Sequence, residues 1–133
     1  MSEKGLMMEG VLFDGKGRPV AFVEDDGERV FYLWSGHAVA YLVEDRLYGW
    51  NGHHIGWYSE SVMYDLHGQR VGSLGDKCPR ALQVVHARPV KHAKQPKFAR
   101  QPEHRRIDYR ATYSEQDFEE FLKGGATWPA VAG

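Results

Sequence analysis

The chain has 133 residues, a formal net charge of −1, 42% hydrophobic and 26% charged residues, and a single cysteine, Cys78. That size and balance indicate one soluble globular domain that buries about two thirds of the surface its unfolded form exposes. They exclude an internal disulfide, a multi-cysteine metal site and a membrane-crossing helix, which needs about 20 consecutive apolar residues.

The opening MSEKGLMMEG, residues 1–10, has neither the apolar stretch nor the cleavage site of a secretory signal. It reads as an N-terminal tail, and a cytoplasmic location is the default. Charge is strongly segregated along the rest. Residues 1–76 hold six basic and twelve acidic side chains, residues 77–110 ten and two, and residues 111–133 one and four. An acidic body, a basic connector and an acidic tail are expected to attract one another before any outside partner is invoked.

Residues 11–76 repeat one unit four times. LFDGKGRPVAFV, YLWSGHAVAYL, YGWNGHHIGWY and MYDLHGQRVGSL align on Gly17, Gly36, Gly52 and Gly68, spaced by 19, 16 and 16 residues. That period suits a hairpin plus its link. Asn51-Gly52 is the strongest two-residue turn signal, and Lys16-Gly17, Ser35-Gly36 and His67-Gly68 gain weight from their shared register. Two-residue turns predict the cross-strand pairs Phe13–Val20, Tyr32–Val39, Tyr48–Ile55 and Tyr64–Val71, each an aromatic against a branched aliphatic. Further out on the same face come Val11–Phe22, Val30–Tyr41, Arg46–Trp57 and Val62–Ser73, and this face is expected to form the core. On the other face Leu12, Phe31, Leu47 and Met63 oppose Ala21, Ala40, Gly56 and Gly72, which implies a close approach to the backbone there. The links EDDGE, VED and SES are too short for crossover helices. The expected fold is therefore all-β: four pseudo-symmetric antiparallel hairpins around a pseudo-fourfold axis.

From residue 77 to about 110 the hairpin pattern stops. ALQVVHARPV, residues 81–90, is compatible with one more extended strand. Arg88, Lys91, Lys94, Lys97 and Arg100 then recur every third residue among Pro89, Pro96 and Pro102, as in a polyproline II segment. This basic connector reads as a strap on the acidic hairpins, a solvated edge, or an anion or nucleic-acid strip. In residues 111–133, YSEQDFEEFLKGG predicts a short helix at about 115–123, with Ser114 as N-cap, Asp117 at the capping-box position and Gly124 as C-cap. Phe118, Phe121 and Leu122 form one apolar stripe that must dock to be stable.

The pattern Tyr-x-x-x-Gly-x-x-Val/Ile-Ala/Gly is carried by Tyr32, Gly36, Val39, Ala40; Tyr48, Gly52, Ile55, Gly56; and Tyr64, Gly68, Val71, Gly72. It resembles that of the 4-fold beta flower domain proteins, small bacterial proteins, with Phe13 replacing the tyrosine in the first copy. The resemblance extends through the Pro/Lys-rich connector to the helix. It implies a fold and carries no activity.

Chemistry-bearing patterns are few. His37 and His53 occupy equivalent places after their turns, but Arg18 and Gln69 stand in the other copies and no H-E-x-x-H spacing occurs. There is no G-x-S-x-G and no Gly-rich phosphate loop. No catalytic residue, metal ligand or cofactor is therefore assigned. The expected function is a non-enzymatic binding or interaction module for a small ligand or protein, such as a peptide or sugar. Its contact surface is expected at an open rim at the hairpin turns, formed by Trp34, His37, Trp50, His53, His54 and Tyr58. Trp57 is expected to pack in the core. The alternatives are nucleic-acid or anion binding through residues 88–110 and a small metal-dependent hydrolase. No membrane partner is implied, and a homo-oligomer is left open.

Overall fold

The computed structural model describes residues 10–25, 29–83 and 90–124. Its body consists of eight strands: β1 (Val11–Phe13), β2 (Pro19–Asp25), β3 (Arg29–Leu33), β4 (Ala38–Val43), β5 (Arg46–Gly49), β6 (His54–Ser59), β7 (Val62–Asp65) and β8 (Arg70–Leu74). Consecutive strands pair antiparallel, and β1 pairs with β8, so the sheet closes into a barrel in sequence order. Closure leaves no long edge strand, which explains how strands as short as these persist. The four hairpins β1–β2, β3–β4, β5–β6 and β7–β8 are petals 1 to 4.

The outer rungs follow the expected register: Val11 opposes Phe22, Val30 opposes Tyr41, Arg46 opposes Trp57 and Val62 opposes Ser73. The rung nearest each turn does not. Phe13, Tyr32, Tyr48 and Tyr64 face Pro19, Ala38, His54 and Arg70, one residue short of Val20, Val39, Ile55 and Val71. The cause is the turn type. Gly17 donates its N–H to the Asp14 carbonyl (3.1 Å), Asp14 donates to the Arg18 carbonyl (3.0 Å), and Gly17 alone takes a left-handed φ, of +88°. This is a type I turn ending in a left-handed glycine, and it repeats in all four petals in place of the expected two-residue turn. A bulge one step along then restores the register. Two-residue turns occur instead at links: Glu60 and Ser61 both have positive φ (49° and 69°) between β6 and β7.

The bulge also decides what faces inward. Val20, Val39, Ile55 and Val71 join Leu12, Phe31, Leu47 and Met63 in one cluster drawn from all eight strands, which fills the barrel. The aromatics expected in that core lie on the outer face. There Phe22 stacks on Tyr32 with Trp34 edge-on (5.8 Å, 89°), and one petal along Tyr41 stacks on Tyr48 with Trp50 edge-on (5.7 Å, 88°). The near-identity of these two triplets is the pseudo-symmetry at atomic level.

One end of the barrel is plugged. Helix α1 (Phe118–Lys123) buries Phe118, Phe121 and Leu122 in the interior cluster. Asp117 is its N-cap, accepting from the Glu120 N–H, so the helix starts later than the expected residue 115, and Ser114 instead accepts from the Gln116 N–H. Gly124 ends it in a right-handed conformation (φ −59°). Arg18 reaches Asp117 from the tip of petal 1, and Asn51 donates to the Gly124 carbonyl from the tip of petal 3. The helix therefore lies among the hairpin tips. Gly72 is small because the Phe118 ring occupies the space a side chain would need.

The connector rings the same tips from outside. The N–H groups of Gln83, His92, Gln101 and Arg110 donate to the carbonyls of Gly17, Gly36, Gly52 and Gly68 at 2.8–2.9 Å, one petal every nine residues. The residue before each covers the aromatic of that petal. Leu82 packs by Phe13, Lys91 lies 5.4 Å over Tyr32, Arg100 lies 5.8 Å over Tyr48, and Tyr109 stacks on Tyr64 at 4.1 Å. A side chain at Gly17, Gly36, Gly52 or Gly68 would strike the carbonyl of Ala81, Val90, Ala99 or Asp108. The connector is a strap with a nine-residue spacing. Residues 81–83 form no strand, and residues 84–89, including the expected strand centre and Arg88, lie outside the described residues.

Candidate functional site at the seam of the ring

With a helix inside the tips and a strap around them, the six side chains assigned to an open rim take separate places. Trp50 is 1% exposed, and its Nε1–H donates to the Gln95 carbonyl at 2.6 Å. Trp34 is half-buried against Phe22. His37 is stacked on His92 of the strap (4.1 Å), and burial, then the neighbouring His92, lowers its pKa. His53 is exposed, with its backbone N–H on the Asn51 side chain. His54 is buried with both ring nitrogens engaged. Nδ1 accepts from the His104 N–H (2.8 Å), which makes Nε2 the protonated nitrogen, donating to the Gly56 carbonyl (2.8 Å). Burial lowers its pKa; the Gly56 bond opposes this and nearby His104 adds to it. Tyr58 packs edge-on against Phe31 with the barrel interior, where burial raises its pKa. The structure does not bring these six together. Trp57 is buried beneath Tyr109.

Side chains of the basic row also turn toward the barrel. Lys97 lies over Tyr41 (4.3 Å) and Trp50 (5.4 Å), and Lys91 is 3.7 Å from Glu24 as well as over Tyr32. Arg100 lies over Tyr48, and Lys94 is likewise engaged. Among the described residues, no group of three or more His, Cys, Asp or Glu is placed to hold a metal ion, and no helix is long and apolar enough to cross a membrane.

The candidate site lies where the fourfold pattern is broken. The strap leaves the barrel at Cys78 beside petal 1, passes the other petals and returns to petal 1 at Tyr113. A cleft of about 530 Å³ opens at this seam, between the petal 1 tip, Pro79–Arg80 and residues 113–118. Two features create it. The β8–β1 ladder ends at Phe13–Ser73, whereas the corresponding ladders continue to Ala21–Leu33, Ala40–Gly49 and Gly56–Asp65. In addition, Gly15 stands where the other petals carry Trp34, Trp50 and Leu66, and the Tyr113 ring fills that place, 3.0 Å from where a Cβ would be.

The charges of the cleft are arranged unevenly. Arg18 bridges Asp14 (2.8 Å) and Asp117 (3.2 Å). Asp14 also accepts the backbone N–H groups of Lys16 and Arg18 through Oδ1. Burial pushes the Asp14 pKa up, but the hydrogen bonds from Arg18 and Lys16 outweigh it and hold the carboxyl below its ordinary value. Both carboxylates are thus satisfied internally. Lys16 and Arg80 line the cleft with exposed side chains, and among the described residues neither has an ion pair. Tyr113 is half-buried on the wall, where burial raises its pKa.

Sequence reasoning missed this cleft. The signal was present in Gly15, the bare member of an otherwise bulky set of equivalent positions.

A family model described as "4-fold beta flower protein" matches residues 11–122, which spans all four petals, the strap and most of the helix. The chain belongs to the 4-fold beta flower family. No curated protein and no solved structure matches it. In this beta flower the petals are the hairpins, and the seam cleft lies where their fourfold equivalence fails.

Proposed function

We propose that this beta flower is a non-enzymatic binding module whose ligand, a small charged molecule or a peptide segment, seats in the seam cleft. The observation that carries the reading is the pairing of a cleft about 530 Å³ in volume with two cations, Lys16 and Arg80, that have no ion pair among the described residues. Pockets of that size, with apolar walls and a few placed polar groups, are the usual form of small-ligand sites. The walls here are Val71, Pro79, Tyr113 and Phe118. A bacterial cytoplasmic setting fits a chain whose single cysteine excludes an internal disulfide. Nucleic-acid binding through the strap is less favoured by the geometry, because Lys91, Lys97 and Arg100 already cover aromatic rings.

Backbone amide NMR with a panel of short peptides, sugars and small anions tests this. A ligand of the cleft shifts the amides of Gly15, Lys16, Arg80 and Gln116 saturably and leaves that of His53 in place. Saturable shifts confined to Trp34, His37 and His53 would return the site to the middle petals. No saturable shift at the cleft from any member of the panel would overturn the proposal.

A further inference from the structure

We infer that the seam cleft recognises an oxyanion, a carboxylate or a phosphate, held between Lys16, Arg80 and the backbone N–H of Gly15. This rests on the reading of the cleft as the binding site and names its ligand chemistry.

The argument is an accounting of donors and acceptors. At two of the other three seams the residue equivalent to Gly15 has its N–H occupied: Trp34 donates to the Val20 carbonyl (3.1 Å) and Trp50 to the Val39 carbonyl (3.0 Å), while Leu66 at the third has no such bond among the described residues. The matching partner for Gly15 is Val71, but the ladder stops before reaching it, and Gly15 has no such bond among the described residues. Both Gly15 and Val71 line the cleft. Among the described residues, an amide N–H without a protein partner lies beside a lysine and an arginine without carboxylate partners, a set of donors with no acceptor.

The acidic residues of the cleft do not supply that acceptor. Asp14 and Asp117 share Arg18, and their remaining oxygens take backbone N–H groups of Lys16, Arg18 and Glu120. Glu115 is exposed at the rim. A cationic ligand would therefore meet Asp14 and Asp117 already satisfied, two repelling cations and Glu115 alone as an unpaired carboxylate among the described residues, whereas an oxyanion meets the three donors together. Arginine and lysine bind such groups through charge-assisted hydrogen bonds, and the apolar wall of Val71, Pro79 and Phe118 strengthens them by reducing the local dielectric. Tyr113 offers a flat surface for the apolar body of the ligand. Free phosphate and acetate carry the anionic group alone, and benzoate adds a ring, so the three probes separate head-group recognition from body recognition.

The test is titration of the full chain with inorganic phosphate, acetate and benzoate, followed by amide NMR and calorimetry, with Arg80→Glu and Lys16→Glu variants. Both side chains are exposed, so the variants keep the wild-type melting profile. Arg105→Glu, exposed on the strap, serves as control. At least one oxyanion shifts the Gly15 and Lys16 amides saturably, and either charge reversal weakens it by about tenfold or more. The control leaves it unchanged, and added salt weakens it. If all three oxyanions leave these amides unmoved, or bind equally well to the charge-reversed variants, the inference is overturned. If a sugar or a cationic peptide shifts the same amides while oxyanions do not, the oxyanion assignment fails and the cleft stands as the binding site. If ligands shift only amides elsewhere, both fail.

Discussion

Replacing Gly52 by alanine probes the junction of petal and strap. The residue has a φ of +90°, and an added Cβ would strike the Ala99 carbonyl. The left-handed conformation alone costs an L-residue about 1–2 kcal/mol. Relief of the collision requires the strap to lift. That breaks the bonds from Gln101 N–H to the Gly52 carbonyl (2.8 Å) and from Phe98 N–H to the Trp50 carbonyl (3.0 Å). Each contributes about 0.5–1.5 kcal/mol net, and water recovers part of it because the strap is exposed. The expected loss is about 2–4 kcal/mol, read as a lower urea midpoint at unchanged m-value. Gly52→Asn separates the two causes, since asparagine tolerates left-handed φ but still carries the Cβ. It should cost nearly as much as alanine if the strap contact dominates. Gly124→Ala, at φ −59°, is the control and should stay within about 1 kcal/mol. A loss below about 1 kcal/mol for Gly52→Ala would refute the reasoning.

Other consequences follow from single residues. His54 has no room for a second proton, because protonated Nδ1 would face the His104 N–H. Its lowered pKa means the unfolded chain binds the proton first, near pH 6.5. Stability is thus complete above that value and falls as pH drops toward the folded-state pKa; urea midpoints across pH 5–7.5 should show a shallower slope in His54→Gln, and an identical slope would contradict the assignment. Trp50→Phe keeps an aromatic ring but removes the donor to Gln95, at a cost of about 1 kcal/mol of stability by the same assay. Asp117→Ala removes the cap of α1 and should cost about 1 kcal/mol, with little added for the exposed Arg18 pair. Loss of the plug is detectable as faster exchange of the Phe121 amide.

Much of the barrel was legible because alternation with period two is robust away from the turns: the rungs Val11–Phe22 through Val62–Ser73 stand where the pattern puts them. The slip at the turns was readable as well. Asp14 three residues before Gly17, and Asp65 three before Gly68, is the signature of a type I turn closed by glycine. The Asn51-Gly52 pair points the other way, toward a two-residue turn that the shared register then implies for all four copies. Which face turns inward depends on the bulges, so alternation alone puts Tyr32, Tyr48 and Tyr64 in the core, whereas they lie outside it under the strap. The strap's spacing was hidden by chemistry. Leu82, Lys91, Arg100 and Tyr109 do the same job of covering a ring, but share only a long or flat side chain and form no visible repeat. Of the cleft only Gly15 is legible, because the ladder that stops one rung early joins strands about 60 residues apart and leaves no local mark in the sequence.

The strap's match to the petals is measured most directly by hydrogen exchange at four amides, those of Gln83, His92, Gln101 and Arg110. Nine residues apart and otherwise exposed, they should all be protected and lose protection together in Gly52→Ala or at acid pH. Exchange of all four at the rate of an unstructured peptide would mean that no ring encloses the tips, and the seam with its cleft would go with it.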